Sequence, residues 1–209
     1  MTIKSNNHHW NTIFSQAENS KLGWYEQEAS QTLKLLSRVP EWRGSTIFLP
    51  GVGTSVLIDE LLNHDARLIL NDISNEALSQ VKTRLGEISR DITYLCQDIA
   101  QPLNNLITQI VDVWIDRAVL HFLLDESDIE GYFDNVKSTL KIGGYAIFAE
   151  FSETGATRCA GLPVLRYAVD ELSGRLGSSF NLICHEDYTF INPHGDPRSY
   201  IYVLYKREK

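Results

Sequence analysis

The stretch Thr46 to Leu62, TIFLPGVGTSVLIDELL, constrains the fold more than any other part of the chain. Ile47, Phe48 and Leu49 make a short apolar run of the kind a buried strand needs, and Val56, Leu57, Leu61 and Leu62 recur at helical spacing. Gly51 and Gly53 sit at the turn between them. Glycine there permits a tight reversal and lets a ligand come against bare backbone, while the N–H groups that open the next helix offer donors to a polar ligand. A strand, a glycine turn and a helix in that order make a nucleotide-type cofactor site.

The same alternation continues downstream. Strands are expected at Ser45 to Leu49, Arg67 to Asn71, Ile92 to Cys96, Val111 to Asp116 and Tyr145 to Phe151, with helices at Ser55 to Asn63, Asn75 to Leu85 and Glu126 to Leu140. Asn75 reads as the N-cap of the second of these helices, and the acidic run Asp125 to Glu130 as a solvated first helical turn. Strand alternating with helix implies a parallel sheet covered on both faces and joined by right-handed connections. Beyond the fifth strand the order changes. A helix is expected at Pro163 to Leu176, with Pro163 near its start, and then strands Phe180 to Ile191 and Ser199 to Lys206 around a short turn, which must pair antiparallel. The sum is a Rossmann-like α/β fold with a mostly parallel seven-stranded sheet, a C-terminal antiparallel hairpin and helices on both faces.

Upstream of the glycine turn no strand-like run exists, and Ala29, Leu33 and Leu36 place a helix in Glu26 to Arg38. Residues 1–40 therefore form a helical appendage to an α/β core at 45–206, within a single domain of 1–209. Its aromatics Trp10, Phe14, Trp24 and Tyr25 either pin it to the core or form a lid over the ligand.

Ligands of such sheets bind beyond the carboxyl ends of the strands. At those ends stand Gly51, Asp72, Asp98, Asp116 and the pair Glu150 and Phe151, so acids recur along one rim. Asp72 lies about 20 residues past the glycine turn, the spacing at which a carboxylate accepts both hydroxyls of a ribose. The alternative is an N-cap role for Asp72, against which Asn75 is the better cap.

Composition narrows the class. A chain of 209 residues with 43% hydrophobic residues can bury one good core, and a net charge of −8 argues against a nucleic-acid backbone as main partner. The three cysteines, Cys96, Cys159 and Cys184, are too few and scattered for a redox or zinc pair, and they fit a reducing cytosol. His8 and His9 are adjacent, His64, His185 and His194 isolated, so no metal site is expected. The start MTIKSNNHHW lacks the apolar core of a signal peptide, and no run approaches the roughly 20 apolar residues of a membrane span. A soluble cytoplasmic protein with no membrane partner is expected.

The combination of glycine turn, rim acids and terminal hairpin, over Ser45 to Lys206, resembles the class I S-adenosylmethionine-dependent methyltransferases. A narrower likeness is to small bacterial proteins with a WYE-like segment, here Gly23-Trp24-Tyr25-Glu26, a DRAVLHF segment at Asp116 to Phe122, and an RCxGLPVxRY segment at Arg158 to Tyr167. The resemblance implies S-adenosylmethionine as cofactor. It implies that the LPGVGTS turn, with Gly51, Gly53 and Thr54, meets the methionine part, that Asp72 and Ile73 meet the ribose side, that Asp98 and Ile99 border the adenine, and that Asp116 lies beside the cofactor. One departure stands out. The family usually carries an acid two residues before the first glycine, where it helps hold the ammonium end; here that position is Leu49, followed by Pro50, and Ser55 replaces the third small residue. Either binding weakens or another group takes over.

Methyl transfer from a sulfonium asks the protein to align the acceptor, exclude water and, where needed, remove a proton. Asp116, Arg117 and His121 are the candidate catalytic residues: a helical turn after the fourth strand brings His121 toward Asp116 or Arg117, as a base. The alternative is an Asp116–Arg117 ion pair with His121 packed on Phe122. Trp24, Tyr25, Arg158, Cys159 and Arg166 are candidates for the acceptor, with arginine holding an anionic group; helix capping and surface charge are the alternatives for the last three. The expected reaction is methyl transfer to a small thiol, other chalcogen or amine. A protein-lysine methyltransferase and a cofactor-binding protein without turnover are the rivals. A nicotinamide dehydrogenase fits less well, because Val56 occupies the final glycine position of that motif.

Overall fold

The computed structural model describes residues 6–86, 91–103 and 107–209. At its centre lies β1 (Thr46–Leu49), flanked in parallel by β2 (Arg67–Asp72) and β4 (Val111–Arg117). Outward from β2 comes β3 (Ile92–Cys96), and outward from β4 comes β5 (Leu140–Phe151), both also parallel. A small hairpin, β6 (Arg158–Cys159) with β7 (Leu162–Pro163), stands apart. The long strands β8 (Phe180–Ile191) and β9 (Pro197–Arg207) close the sheet antiparallel, giving the order β3-β2-β1-β4-β5-β9-β8. The expected seven-stranded sheet with its terminal hairpin is thus the observed one.

Because side chains alternate across a strand, each strand feeds two cores. Ile47, Leu49, Leu68, Leu70, Val113 and Ile115 join one, while Phe48, Ile69 and Trp114 join the other, where the Phe48 and Trp114 rings stack at 4.3 Å. The helices cover these faces: α2 (Ser30–Leu36), α3 (Leu57–Leu62) and α4 (Asn75–Leu85) bury residues in the first, α5 (Glu126–Thr139) and α6 (Val169–Leu176) in the second. No helix among the described residues is long and apolar enough to cross a membrane.

Several local expectations need correction. The N-cap of α4 is Ser74, whose hydroxyl accepts from Ala77 N; Asn75 is the first helical residue. The helix placed at Pro163 begins instead at Val169. Upstream of it the chain makes the β6–β7 hairpin through Ala160 and Gly161, both at positive φ, and then sends Leu165 N to His121 O and Tyr167 N to Phe151 O. Tyr167 N is thereby given to the end of β5 and not to a helical i−4 carbonyl, so the helix begins beyond it. α3 and α2 are shorter than expected, and an unexpected α1 (Asn7–Gln16) precedes them, capped by the Asn6 side chain on His9 N. Trp10 and Phe14 sit four apart on the buried face of α1, and Asn11 Oδ1 accepts from Ser74 Oγ at 2.8 Å, which fastens α1 to the start of α4.

Candidate cofactor and acceptor site

The chain runs outward from β1 to β3 and returns to β4 beside β1, so the turns after β1 and β4 diverge and leave a crevice, the place where open α/β sheets bind ligands. The two turns still touch. Gly51 has φ +45°, and a Cβ there would lie 2.6 Å from Val119 Cγ2. Only glycine meets both the conformation and the approach. Gly53, at φ +53°, packs under the Phe14 ring, 3.2 Å from where its Cβ would be.

Asp72 fixes this turn. One carboxylate oxygen accepts from Gly53 N at 2.8 Å and the other from Ser74 N at 2.7 Å. Burial lifts its pKa to about 6, although the Ser74 and Gly53 amides pull it down. Each oxygen keeps a second lone pair for a ligand hydroxyl. Beyond β3, Asp98 Oδ1 accepts from Ala100 N at 2.9 Å, and Asn135 of α5 holds the same loop by donating to Ile99 O and Gln101 O at 2.7 and 2.9 Å. α5 can come that close because position 131 is glycine: a Cβ there would lie 2.1 Å from Ala100 O.

These groups border one cavity that opens to solvent. Gly51, Gly53, Thr54, Asp72, Ile73, Asp98 and Ile99 all line it, as do Arg117, Trp24, Tyr25 and Cys159. Trp10, Phe14 and Phe122 contribute further aromatic wall, with the Trp10 ring edge-on to Trp24 at 5.6 Å and to Phe122 at 4.9 Å. Pinning and lining are therefore one job here, since the same rings that hold α1 down face the cavity. Burial raises the Cys159 thiol to about 11, so it stands as a neutral apolar group.

The β4–β5 side departs from expectation. Asp116 and His121 are fully buried and do not line the cavity. His121 does not approach Asp116 as a helical neighbour; its Nδ1 lies 2.6 Å from Glu150 Oε2, and its ring packs on Phe122 at 4.5 Å. Burial lowers the His121 pKa to about 3 and raises Glu150 to about 8, so the pair favours its neutral form and the imidazole is no cavity base. Asp116 accepts from Val119 N, Leu120 N and the Tyr132 hydroxyl, the last at 2.6 Å. Burial, with the Glu150 charge second, raises its pKa well above the ordinary value. Nor do Asp116 and Arg117 pair, because Arg117 reaches Glu26 at 2.9 Å. Arg158 and Arg166 are exposed and away from the cavity, donating to Gly161 O and Glu153 O, the latter at 2.7 Å. Glu26, Tyr132, Asn135 and Glu150 went unassigned from sequence. Only Glu150, as a rim acid, and Glu26, as the end of the WYE segment, carried any signal.

A nucleoside-bearing cofactor suits this arrangement: a buried carboxylate with lone pairs to spare, a glycine turn bare enough for close approach, and apolar walls. Among the described residues no group of three or more His, Cys, Asp or Glu is placed to hold a metal.

Comparison with known proteins agrees. Residues 49–148 match the family model of the methyltransferase domain. Phosphoethanolamine N-methyltransferase 1 of Triticum aestivum is 24% identical over 127 residues, which is 60% of this chain but only 25% of that enzyme, so the chain spans about a quarter of the relative's length. In overall fold the chain is similar to an S-adenosylmethionine-dependent methyltransferase of Anabaena variabilis, with TM-score 0.76 at 14% identity over 96% of this chain and 93% of that one. It is also similar to the N-methyltransferase NodS of Bradyrhizobium japonicum in complex with S-adenosyl-L-homocysteine, with TM-score 0.72 at 14% identity over 96% and 100%. Residues 49–148 are thus similar to the methyltransferase domain, and the chain has the fold of solved S-adenosylmethionine-dependent methyltransferases.

Proposed function

We propose that the chain transfers the methyl group of S-adenosylmethionine to a small-molecule nucleophile, a thiol, other chalcogen or amine. The observation that carries this reading is the convergence of Gly51, Gly53, Asp72 and Asp98 on one cavity that is also walled by aromatics from the N-terminal segment. When bound, S-adenosylmethionine supplies a methyl group already activated on a sulfonium.

The residues then divide the remaining work. Asp72 accepts the ribose hydroxyls, Asp98 and Ile99 border the base, and Thr54 and the glycine turn take the chain toward the sulfur. Asp116 and His121 are positioning residues. Through the amides of Val119 and Leu120 and through Glu150, they hold the turn that presents Ala118, Val119 and Phe122 to the cavity. Trp24, Tyr25 and Cys159 contact the acceptor and keep water out, which strengthens every polar interaction inside.

The aromatic wall of the cavity, from Trp10, Phe14, Trp24, Tyr25 and Phe122, favours an acceptor small enough to be enclosed by it over a lysine on a folded protein. The curated relative from Triticum aestivum, named for the amine phosphoethanolamine, is consistent with an amine or similar nucleophile. The test is incubation of a lysate with methyl-labelled donor and purified protein. Label in the low-molecular-weight fraction is expected, whereas label confined to protein supports the protein-lysine rival.

A further inference from the structure

The cofactor reading leaves a charged pair in the cavity wall without a task. Arg117 is the one cation among the described residues lining the cavity, and it stands against Glu26, with side chains 14% and 11% exposed. Such a pair is a poor source of stability, since removing both ions from water offsets much of their attraction. The guanidinium is also undersupplied with acceptors. Its Nη1 donates to Trp24 O at 3.0 Å, its Nε reaches the Tyr202 hydroxyl at 3.4 Å, and Nη2, itself buried, is ion-paired with Glu26 at 2.9 Å without an aligned hydrogen bond. With five donors in a fixed fork and part of its side chain still open to the cavity, Arg117 keeps a second Nη1 proton for another acceptor.

The cavity is therefore polar at two places of different character. Past β2 and β3, Asp72 and Asp98 hold backbone amides and offer lone pairs to neutral hydroxyl or amino groups. Past β4 stand an acid and a base together, while the tip of β1 between them carries the uncharged Leu49 and Pro50. A ligand that spans both needs a hydroxyl-rich end and an end carrying one positive and one negative charge on neighbouring atoms. An α-amino acid is such an end.

We infer that Glu26 and Arg117 together hold the amino-acid end of S-adenosylmethionine, Glu26 accepting from the α-ammonium and Arg117 donating to the α-carboxylate. This rests on the cofactor reading above and assigns within it the group that stands in for an acid at Leu49. Net charge is conserved, because a zwitterion exchanges one internal ion pair for two. Glu26 belongs to the segment before α2, so the same contact ties that segment to the cofactor.

Calorimetry with two probes separates this from a simple latch between the N-terminal segment and β4. S-Adenosylhomocysteine carries the amino-acid end, and 5′-methylthioadenosine lacks it. The unaltered protein should bind the first about tenfold or more tightly than the second, and Glu26→Gln should erase about tenfold of the first affinity while leaving the second within about threefold. The double variant Glu26→Gln/Arg117→Gln, which strands no charge and whose folding is checked by its unfolding midpoint, should bind both probes about alike. If Glu26→Gln weakens both probes equally the pair is a latch, and if it weakens neither it has no part in binding; either result overturns the inference. Failure of the unaltered protein to bind either probe would overturn the cofactor reading itself.

Discussion

The two halves of the cavity mouth are built by different means. On the β1–β3 side, polar groups are satisfied by near neighbours or by the next element: Asp72 by Gly53 and Ser74, Asp98 by Ala100. On the β4–β5 side Arg117 and His121 draw partners from farther along the chain, Glu26 and Glu150, while Asp116 is held by its own turn and by Tyr132 of the next helix. The first half is a preformed cradle of backbone and acid that faces the cavity. The second buries Asp116, His121 and Glu150 and faces the cavity with Ala118, Val119, Phe122 and Arg117.

The largest effect should come from the buried half. His121→Ala removes a hydrogen bond from the buried Glu150 and opens a cavity, and is expected to cost about 3 to 5 kcal/mol of stability, read by urea unfolding. A loss under about 1 kcal/mol would mean that the pair does not hold the turn. Next comes Gly51→Ala, where a positive φ and the Val119 contact together should cost about 2 to 4 kcal/mol, and the cofactor site should distort with it. If that variant is as stable as the parent, the two turns do not touch as described.

Within the cradle, Asp72→Ala should weaken S-adenosylhomocysteine binding by about 1.5 to 3 kcal/mol. Its pH dependence sharpens the contrast. Asp72 titrates at about 6 in the folded protein against 3.8 for an ordinary aspartate, so folding makes it hold its proton more readily. The corresponding stability is fully present below pH 3.8 and lost as pH rises through about 6, roughly 3 kcal/mol in all. Ligand affinity should move the other way, rising over the same window, because the ionised carboxylate is the better acceptor. Asp72→Asn should flatten both profiles, and unchanged profiles would place the titration elsewhere. The smallest effects belong to Arg158→Ala and Arg166→Ala, each within about 0.5 kcal/mol in stability and without change in affinity, since both side chains are exposed and outside the cavity.

This contrast also explains what could be read from the chain beforehand. Strand–helix alternation, the glycine turn and the spacing to Asp72 are local patterns, and they led to the sheet, its terminal hairpin and the cradle. His121 was misjudged because helical proximity is a local rule, whereas the residue that reaches it, Glu150, is brought there by the β4–β5 pairing that sets Asp116 opposite Phe148 and Arg117 opposite Ala149. Arg158 and Arg166 looked available for the same reason: nothing local in RCAGLPVLRY says that its amides are claimed by His121 and Phe151. Likewise α2 starts late because Arg117 draws in Glu26 and the Trp24 carbonyl, an event invisible in residues 24–38 alone.

The most direct test of the central claim is titration of the unaltered protein with S-adenosylhomocysteine and, separately, with NAD. Saturable one-site binding of the first and none of the second is the expected result. No binding of S-adenosylhomocysteine, or equal binding of NAD, would contradict it.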